Sequence, residues 1–294
     1  MKITPEDLER QFKYNQGKNL FFDSIGDSLK FSPETLKSIE KIDSIDAETE
    51  SLLIDYLTNR AIEEFCHTNQ YYTIDIQAKS SLRYIYVDLF TSLKAHKTSI
   101  DSVAKNHYVK ISEWLRKTNA FAEKIYSLEG EKIEPVACSE YSPDLQIKIL
   151  QIDINNILEP VLDIGCGREG NLVHFLRGKD IDAHGFDRFA SGNVFLHNSD
   201  WFDYEFEKDK WGTITSNLGF SNHFQHNHFR NDGNYIDYAR KYMEILNALK
   251  PGGSFHYAPD LPFIEQYLDK GKYLITKQRI GSYKVSSTNV KRLK

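Results

Sequence analysis

The sequence predicts an α/β protein with two parts: a doubly wound, mostly parallel Rossmann-like sheet over residues 141–294, ending in an antiparallel strand, and an α-helical region over residues 1–140. Three observations carry this expectation. Before Gly130, apolar residues recur every three or four positions, the period of a helix face. After Glu159, short apolar runs alternate with helical stripes, as parallel βαβ units require. Between the two, Gly130–Tyr141 reads as a linker.

The helical region rests on three stripes. Leu52, Leu53, Tyr56, Leu57, Ala61, Ile62, Phe65 and Cys66 form the first, within Glu48–Asn69. Leu82, Ile85, Tyr86, Leu89, Phe90 and Leu93 form the second, and Ile111, Trp114, Leu115, Phe121, Ile125 and Leu128 the third. Ser32-Pro33-Glu34 and Ser142-Pro143-Asp144 read as helix starts, because Ser caps free backbone N–H groups and Pro fits the first turn. The aromatic side chains Tyr71, Tyr72, Tyr84, Tyr86, Phe90 and Tyr108 make this region either ordinary core or the wall of an apolar pocket.

In the second part, Val161-Leu162-Asp163-Ile164 is an apolar run that enters the glycine-rich turn Gly165-Cys166-Gly167-Arg168-Glu169-Gly170. A helical pattern follows through Leu172, Val173, Phe175 and Leu176. Ala183–Asp187 and Trp211–Asn217 read as further strands. A helix from Tyr235 to Leu249 meets the stop signal Lys250-Pro251-Gly252-Gly253, and Ser254–Ala258 offers another strand. Tyr273–Thr276 and Tyr283–Val285, joined through Gly281-Ser282, suggest an antiparallel hairpin at the sheet edge.

Composition bounds the function. The 294 residues are 40% hydrophobic and 27% charged, the balance of a globular protein. No apolar stretch approaches the roughly 20 residues of a membrane span, so no membrane partner is expected. The N-terminus lacks the layout of a signal peptide, and Cys66, Cys138 and Cys166 show neither metal-site nor disulfide spacing. These features predict a reduced, cytoplasmic enzyme. The net charge of −5 arises entirely within residues 1–150, whereas Lys270–Lys294 contains Lys and Arg but no Asp or Glu. Such a segment can meet phosphate, although a solvated basic edge is the commoner arrangement.

A strand that runs into glycines and then a helix makes a ligand site. Gly165 and Gly167 allow a sharp turn and close approach, and the helix N-terminus offers free N–H groups. Asp187, 24 residues beyond Asp163, suits the two hydroxyls of a ribose. Asp163 lies just before the turn, where it would repel a pyrophosphate and attract an ammonium or sulfonium, which argues against NAD.

These residues resemble the class I S-adenosylmethionine-dependent methyltransferases over roughly Tyr141 to Lys294. Val161–Gly167 resembles the first motif of that family, which cradles the methionine arm, and Gly185-Phe186-Asp187 resembles its ribose-binding strand end. Asn198-Ser199-Asp200-Trp201-Phe202 is similar to the segment that contacts adenine. Thr213–Leu218 is similar to the fourth strand, whose end faces the transferring methyl. Leu249–Gly253 resembles the turn before the fifth strand. The resemblance implies S-adenosylmethionine as cofactor, with Asp163, Gly165, Cys166, Gly167, Asp187, Arg188, Asp200, Trp201 and Asn217 in contact with it. It implies an acceptor-side role for the N-terminal helices, and Tyr141 as a cover over the cofactor.

The sequence departs from the family where Glu169 replaces the third glycine of the first motif, with Gly170 one position later. Asn217-Leu218-Gly219-Phe220 lacks the two prolines found in methyltransferases that act on nucleobase amines. The histidines of Ser221–Phe229 (His223, His226 and His228) read as a loop bordering the acceptor, with His223 as the candidate general base. Surface or packed histidines are the plainer alternative, and a metal site joining Asp232 is a rarer one; no metal is expected. The reading favoured by the sequence is O- or N-methylation of a small molecule. The alternatives are methylation of RNA, DNA or protein, and a non-catalytic adenosyl-binding module.

Overall fold

The computed structural model describes residues 5–22, 29–127, 130–133, 140–281 and 286–294. Two compact units divide the chain, Met1–Cys138 and Ser139–Lys294.

The first unit is helical: α1 (Pro5–Asn15), α2 (Pro33–Ile39), α3 (Ala47–Thr68), α4 (Ile76–Ala95), α5 (Ile100–Thr118) and α6 (Ala120–Tyr126). Local chemistry starts these helices. Ser32, Asp46, Asp75 and Ser99 each stand in extended conformation and accept the N–H three residues on, which satisfies a donor the helix itself leaves open. The stripe from Ile111 to Leu128 does not continue as one helix, and Leu128 lies outside the described residues. Asn119 breaks it: its side chain accepts from Thr73 N at 2.9 Å and donates to Thr73 O at 3.1 Å. Those two bonds pull the backbone to φ −139°, which ends α5.

The second unit contains α7 (Pro143–Leu150), β1 (Val161–Ile164), α8 (Asn171–Arg177), β2 (Ala183–Asp187), β3 (Leu196–Asn198), β4 (Trp211–Asn217), α9 (Phe220–His228), α10 (Tyr235–Ala248), β5 (Leu249–Ala258), α11 (Pro262–Glu265), β6 (Tyr273–Arg279) and β7 (Ser286–Arg292). They form one seven-stranded sheet in the order β3-β2-β1-β4-β5-β7-β6. The first five strands are parallel, and β7 runs antiparallel to both β5 and β6. Successive residues of β1 face opposite sides of the sheet. Leu162 joins the aromatic core under α9 and α10, and Val161 joins the aliphatic core under α7 and α8. Burial on both faces explains why the parallel strands read as apolar runs.

Three expectations need correction. The histidine segment is not a loop but α9, because Ser216 Oγ accepts Phe220 N at 3.1 Å and starts a helix there. Lys250–Gly253 does end α10, yet these residues run on as the beginning of β5. The backbone follows through a register irregularity opposite Trp211 and a φ of +82° at Gly252. The hairpin is longer than expected, with β7 beginning at Ser286 and inserted between β5 and β6; its expected second arm, 283–285, lies outside the described residues. Among the described residues no helix is long and apolar enough to cross a membrane.

Candidate functional site

The strand order reverses between β1 and β4, since the chain leaves β1 in one direction to β2 and in the other to β4. In doubly wound sheets ligands bind in the crevice outside the carboxyl ends of the strands at such a point. Register places Asp163 beside Gly185 on one side and Thr215 on the other. Asp187 and Asn217 therefore both lie two residues beyond Asp163, at the mouth of the crevice.

Asp163 is 2% exposed. Its Oδ1 accepts the Thr215 hydroxyl at 2.7 Å, while Oδ2 is enclosed with no partner. Burial pushes its carboxyl up to about 7, against the lowering effect of the Thr215 bond. Gly165 and Gly167 have φ of +72° and +78°, a conformation that favours glycine. Cys166 between them is buried. A Cβ on Gly167 would stand 3.0 Å from Glu140 Oε1, and that same oxygen accepts Arg168 N at 2.7 Å. Glu140 was not among the residues expected here. The sequence pointed to its neighbour Tyr141, and nothing in local pattern marks a carboxylate 28 positions before the amide it accepts from.

Glu169 is exposed and Gly170 is buried. Its φ of +58° opens α8, and a Cβ there would come within 2.6 Å of Leu196. Gly170 is thus a third glycine of positive φ in the turn, after Gly165 and Gly167.

At the end of β2, Asp187 Oδ1 accepts Phe189 N at 2.9 Å and Oδ2 accepts Gly167 N at 3.3 Å. Burial raises its carboxyl above the usual range, and it raises Asp200 likewise. Asp200 Oδ1 accepts Phe202 N at 3.0 Å. Arg188 lies over the rings of Phe189 and Trp201, at 5.6 and 6.0 Å. Glu140, Asp163, Asp187 and Asp200 together make the crevice acidic, with Arg188 as the cation among them. Trp201 is buried, 3.9 Å from where a Cβ of Gly165 would be, and its indole N–H has no partner.

Asn217 ends β4 with both amide atoms enclosed and without a hydrogen-bond partner among the described residues. The chain then turns through Leu218 at φ +55°, a left-handed conformation costly for a residue with a Cβ. That turn redirects the chain into α9 and leaves the Asn217 amide at the strand end. His223 on α9 is 4% exposed and meets Trp201 edge-on, with ring centres 4.7 Å apart. Burial, followed by Arg188 and His226, holds its imidazole well below the usual range and hence neutral. The other histidines point elsewhere: His226 contacts Arg230 at 3.3 Å, and His228 stacks on Phe263 at 3.7 Å. Among the described residues no group of three His, Cys, Asp or Glu side chains is placed to hold a metal ion.

Fold and site together define a doubly wound, Rossmann-like unit with an acidic crevice at its switch point. Solved structures similar to the chain include an S-adenosylmethionine-dependent methyltransferase from Mesorhizobium loti, 18% identical over 42% of this chain and 57% of that one (TM-score 0.27). Another is from Methanosarcina mazei, 13% identical over 48% and 96% of the two chains (TM-score 0.31). A third is the 1,6-didemethyltoxoflavin-N1-methyltransferase of Burkholderia thailandensis, with 1,6-didemethyltoxoflavin and S-adenosylhomocysteine bound, 14% identical over 45% and 69% (TM-score 0.32). The chain spans little more than half the length of the first structures it matches, 55% and 57%. The likeness is one of fold, which the strand order defines without it. No protein-family model matches the chain, and no curated protein does.

Proposed function

We propose that the second unit binds S-adenosylmethionine and transfers its methyl group to O or N of a small molecule. The observation that carries this reading is a set of enclosed polar atoms with no hydrogen-bond partner among the described residues, at or beside the strand ends of the switch point: Asp163 Oδ2, Trp201 Nε1 and both amide atoms of Asn217. An enclosed polar atom left without a partner costs about 1–3 kcal/mol, so a group of them at a switch point marks atoms reserved for a ligand. The donor set fits the proposed cofactor. Asp163 offers a carboxylate oxygen to an ammonium, Asp187 retains lone pairs for a ribose diol, and Asp200 can accept from an adenine amine. Cys166 and the positive-φ glycines beside it keep side chains out of the path of the methionine arm.

Bound there, S-adenosylmethionine supplies an electrophilic methyl on a sulfonium. The acidic wall favours that cation and disfavours a pyrophosphate. Asn217, at the end of β4, orients the acceptor or the methionine arm through its amide. His223, kept neutral by burial, is the candidate to take the acceptor's proton. Its low basicity restricts this role to protons that become acidic as the new bond forms, so positioning supplies most of the rate.

A small-molecule acceptor is favoured over RNA or DNA because the basic C-terminal segment is partly consumed internally. Lys277 pairs with Asp260 and Glu265, and Arg292 pairs with Asp209. The positive φ of Gly170 at the start of α8 supports the catalytic reading over a non-catalytic module.

The test is calorimetric titration with S-adenosylmethionine, S-adenosylhomocysteine and NAD. Micromolar binding of the adenosyl ligands but not NAD is expected. Asp187→Ala should weaken it about a hundredfold, the loss of two hydrogen bonds to a charged group. Tighter binding of NAD than of either adenosyl ligand would overturn the reading.

A further inference from the structure

The helical unit contains a cavity of about 150 Å³, formed wholly by residues between Leu8 and Ile133. Leu57, Ala61, Phe65 and Ile111 give it apolar walls, and His107 and Tyr86 also line it. A cavity of this size and lining elsewhere accepts a benzene-sized ring. This one differs in having a polar end. His107 and Tyr86 are 6% and 5% exposed and pack edge-on, their ring centres 5.1 Å apart. Neither side chain has a hydrogen-bond partner among the described residues. Several other polar groups of the wall are engaged. The Tyr108 oxygen accepts from Gln11 at 3.0 Å and Asn15 at 2.7 Å; Lys18 donates to Asn15 at 3.2 Å, and Glu64 pairs with Arg60 at 3.2 Å.

We propose that this cavity is a binding site for a small neutral ring compound bearing one hydroxyl or carbonyl group, with the ring among the aliphatic side chains and the oxygen at His107 and Tyr86. The argument is one of satisfaction. Two nine-tenths-buried polar side chains facing a void are stabilised by a group that can donate or accept, and an apolar ring replaces the void's missing contacts. At the polar end neutrality follows from burial, which drives the His107 imidazole down to about 3, so that this end offers a carboxylate no cation; Lys18, elsewhere in the wall, is held by Asn15. The inference is independent of methyl transfer, since it concerns only the helical unit.

The experiment is ligand-observed NMR and calorimetry on the full chain with p-cresol, toluene and benzoate. p-Cresol should bind, toluene should bind about fivefold more weakly for want of one net hydrogen bond, and benzoate should not bind. Ala61→Met should fill the cavity and abolish p-cresol binding without lowering the thermal midpoint. Tyr86→Phe removes one oxygen with little change in packing, and should shrink the preference for p-cresol over toluene; it keeps the test decisive if Ala61→Met does not fold. Absence of p-cresol binding, equal binding of toluene, binding of benzoate, or undiminished binding in Ala61→Met would each overturn the proposal.

Discussion

The two units treat their enclosed polar groups in opposite ways. In the helical unit Asn19 donates to Tyr126 O at 2.8 Å, Asn69 to the Tyr126 hydroxyl at 2.9 Å, Ser112 to Leu20 O at 2.6 Å, and the Trp114 indole to Ala78 O at 3.0 Å. Each of these groups ties one segment to another far along the chain. In the α/β unit, enclosed atoms without hydrogen-bond partners among the described residues occur at Asp163, Trp201 and Asn217, at the carboxyl ends of the strands or against the glycine turn, and also away from the crevice at Trp211, Tyr273 and Asn289. Satisfied polar groups define a fold; unsatisfied ones gathered at a crevice define what it can bind.

The sharpest way to break that contrast is at Asp163. Its folded pKa lies above the unfolded value, so the native state holds more protons between about pH 4 and pH 7. Stability without ligand should therefore fall as pH rises through this window and level off above it, by at most roughly 4 kcal/mol. Asp163→Asn should remove that component, as read from denaturant midpoints at several pH values. Asp46 in the helical unit runs the other way. The Thr49 N–H holds its carboxyl low, so its capping contribution is lost only as pH falls through that lowered value. Identical pH profiles for wild type and Asp163→Asn would mean that the crevice carboxylate is already satisfied.

A smaller effect is expected at Gly170. Gly170→Ala forces a Cβ into the left-handed conformation and against Leu196, whose side-chain end can yield in part. We predict a loss of about 1–2 kcal/mol in chemical denaturation, with adenosyl-ligand affinity reduced further. An unchanged midpoint would show that the turn does not need its third glycine.

The smallest effect concerns His223. If positioning dominates, His223→Ala should lower kcat by no more than about tenfold while leaving S-adenosylhomocysteine affinity within about twofold. Transfer of labelled methyl to an acceptor found by screening would measure it. A far larger loss of kcat at constant affinity would make His223 an essential base and not chiefly a packing partner of Trp201.

Legibility in the sequence followed the range of the interactions. β1, the glycine turn, β2 and the caps at Ser32 and Ser142 are local events, and their residues announce them. The break at Asn119 was not legible, because the bonds that make it run to Thr73, far away in sequence. The helix over the histidines was hidden in the same way. Its capping hydroxyl, Ser216, is held by a carbonyl of β1, to which it donates at 3.0 Å.

By itself the sequence determined the helical and α/β halves, the parallel strands with their buried faces, and the carboxylates at the carboxyl ends of β1 and β2. These depend on periodicity and on backbone rules that act over a few residues. Only the tertiary structure decided that β7 lies between β5 and β6, that Glu140 caps the glycine turn, and that His223 rests on Trp201. It alone revealed the cavity of the helical unit. Each of these depends on which side chains meet across the fold, and a linear pattern carries no record of such meetings until the core has packed.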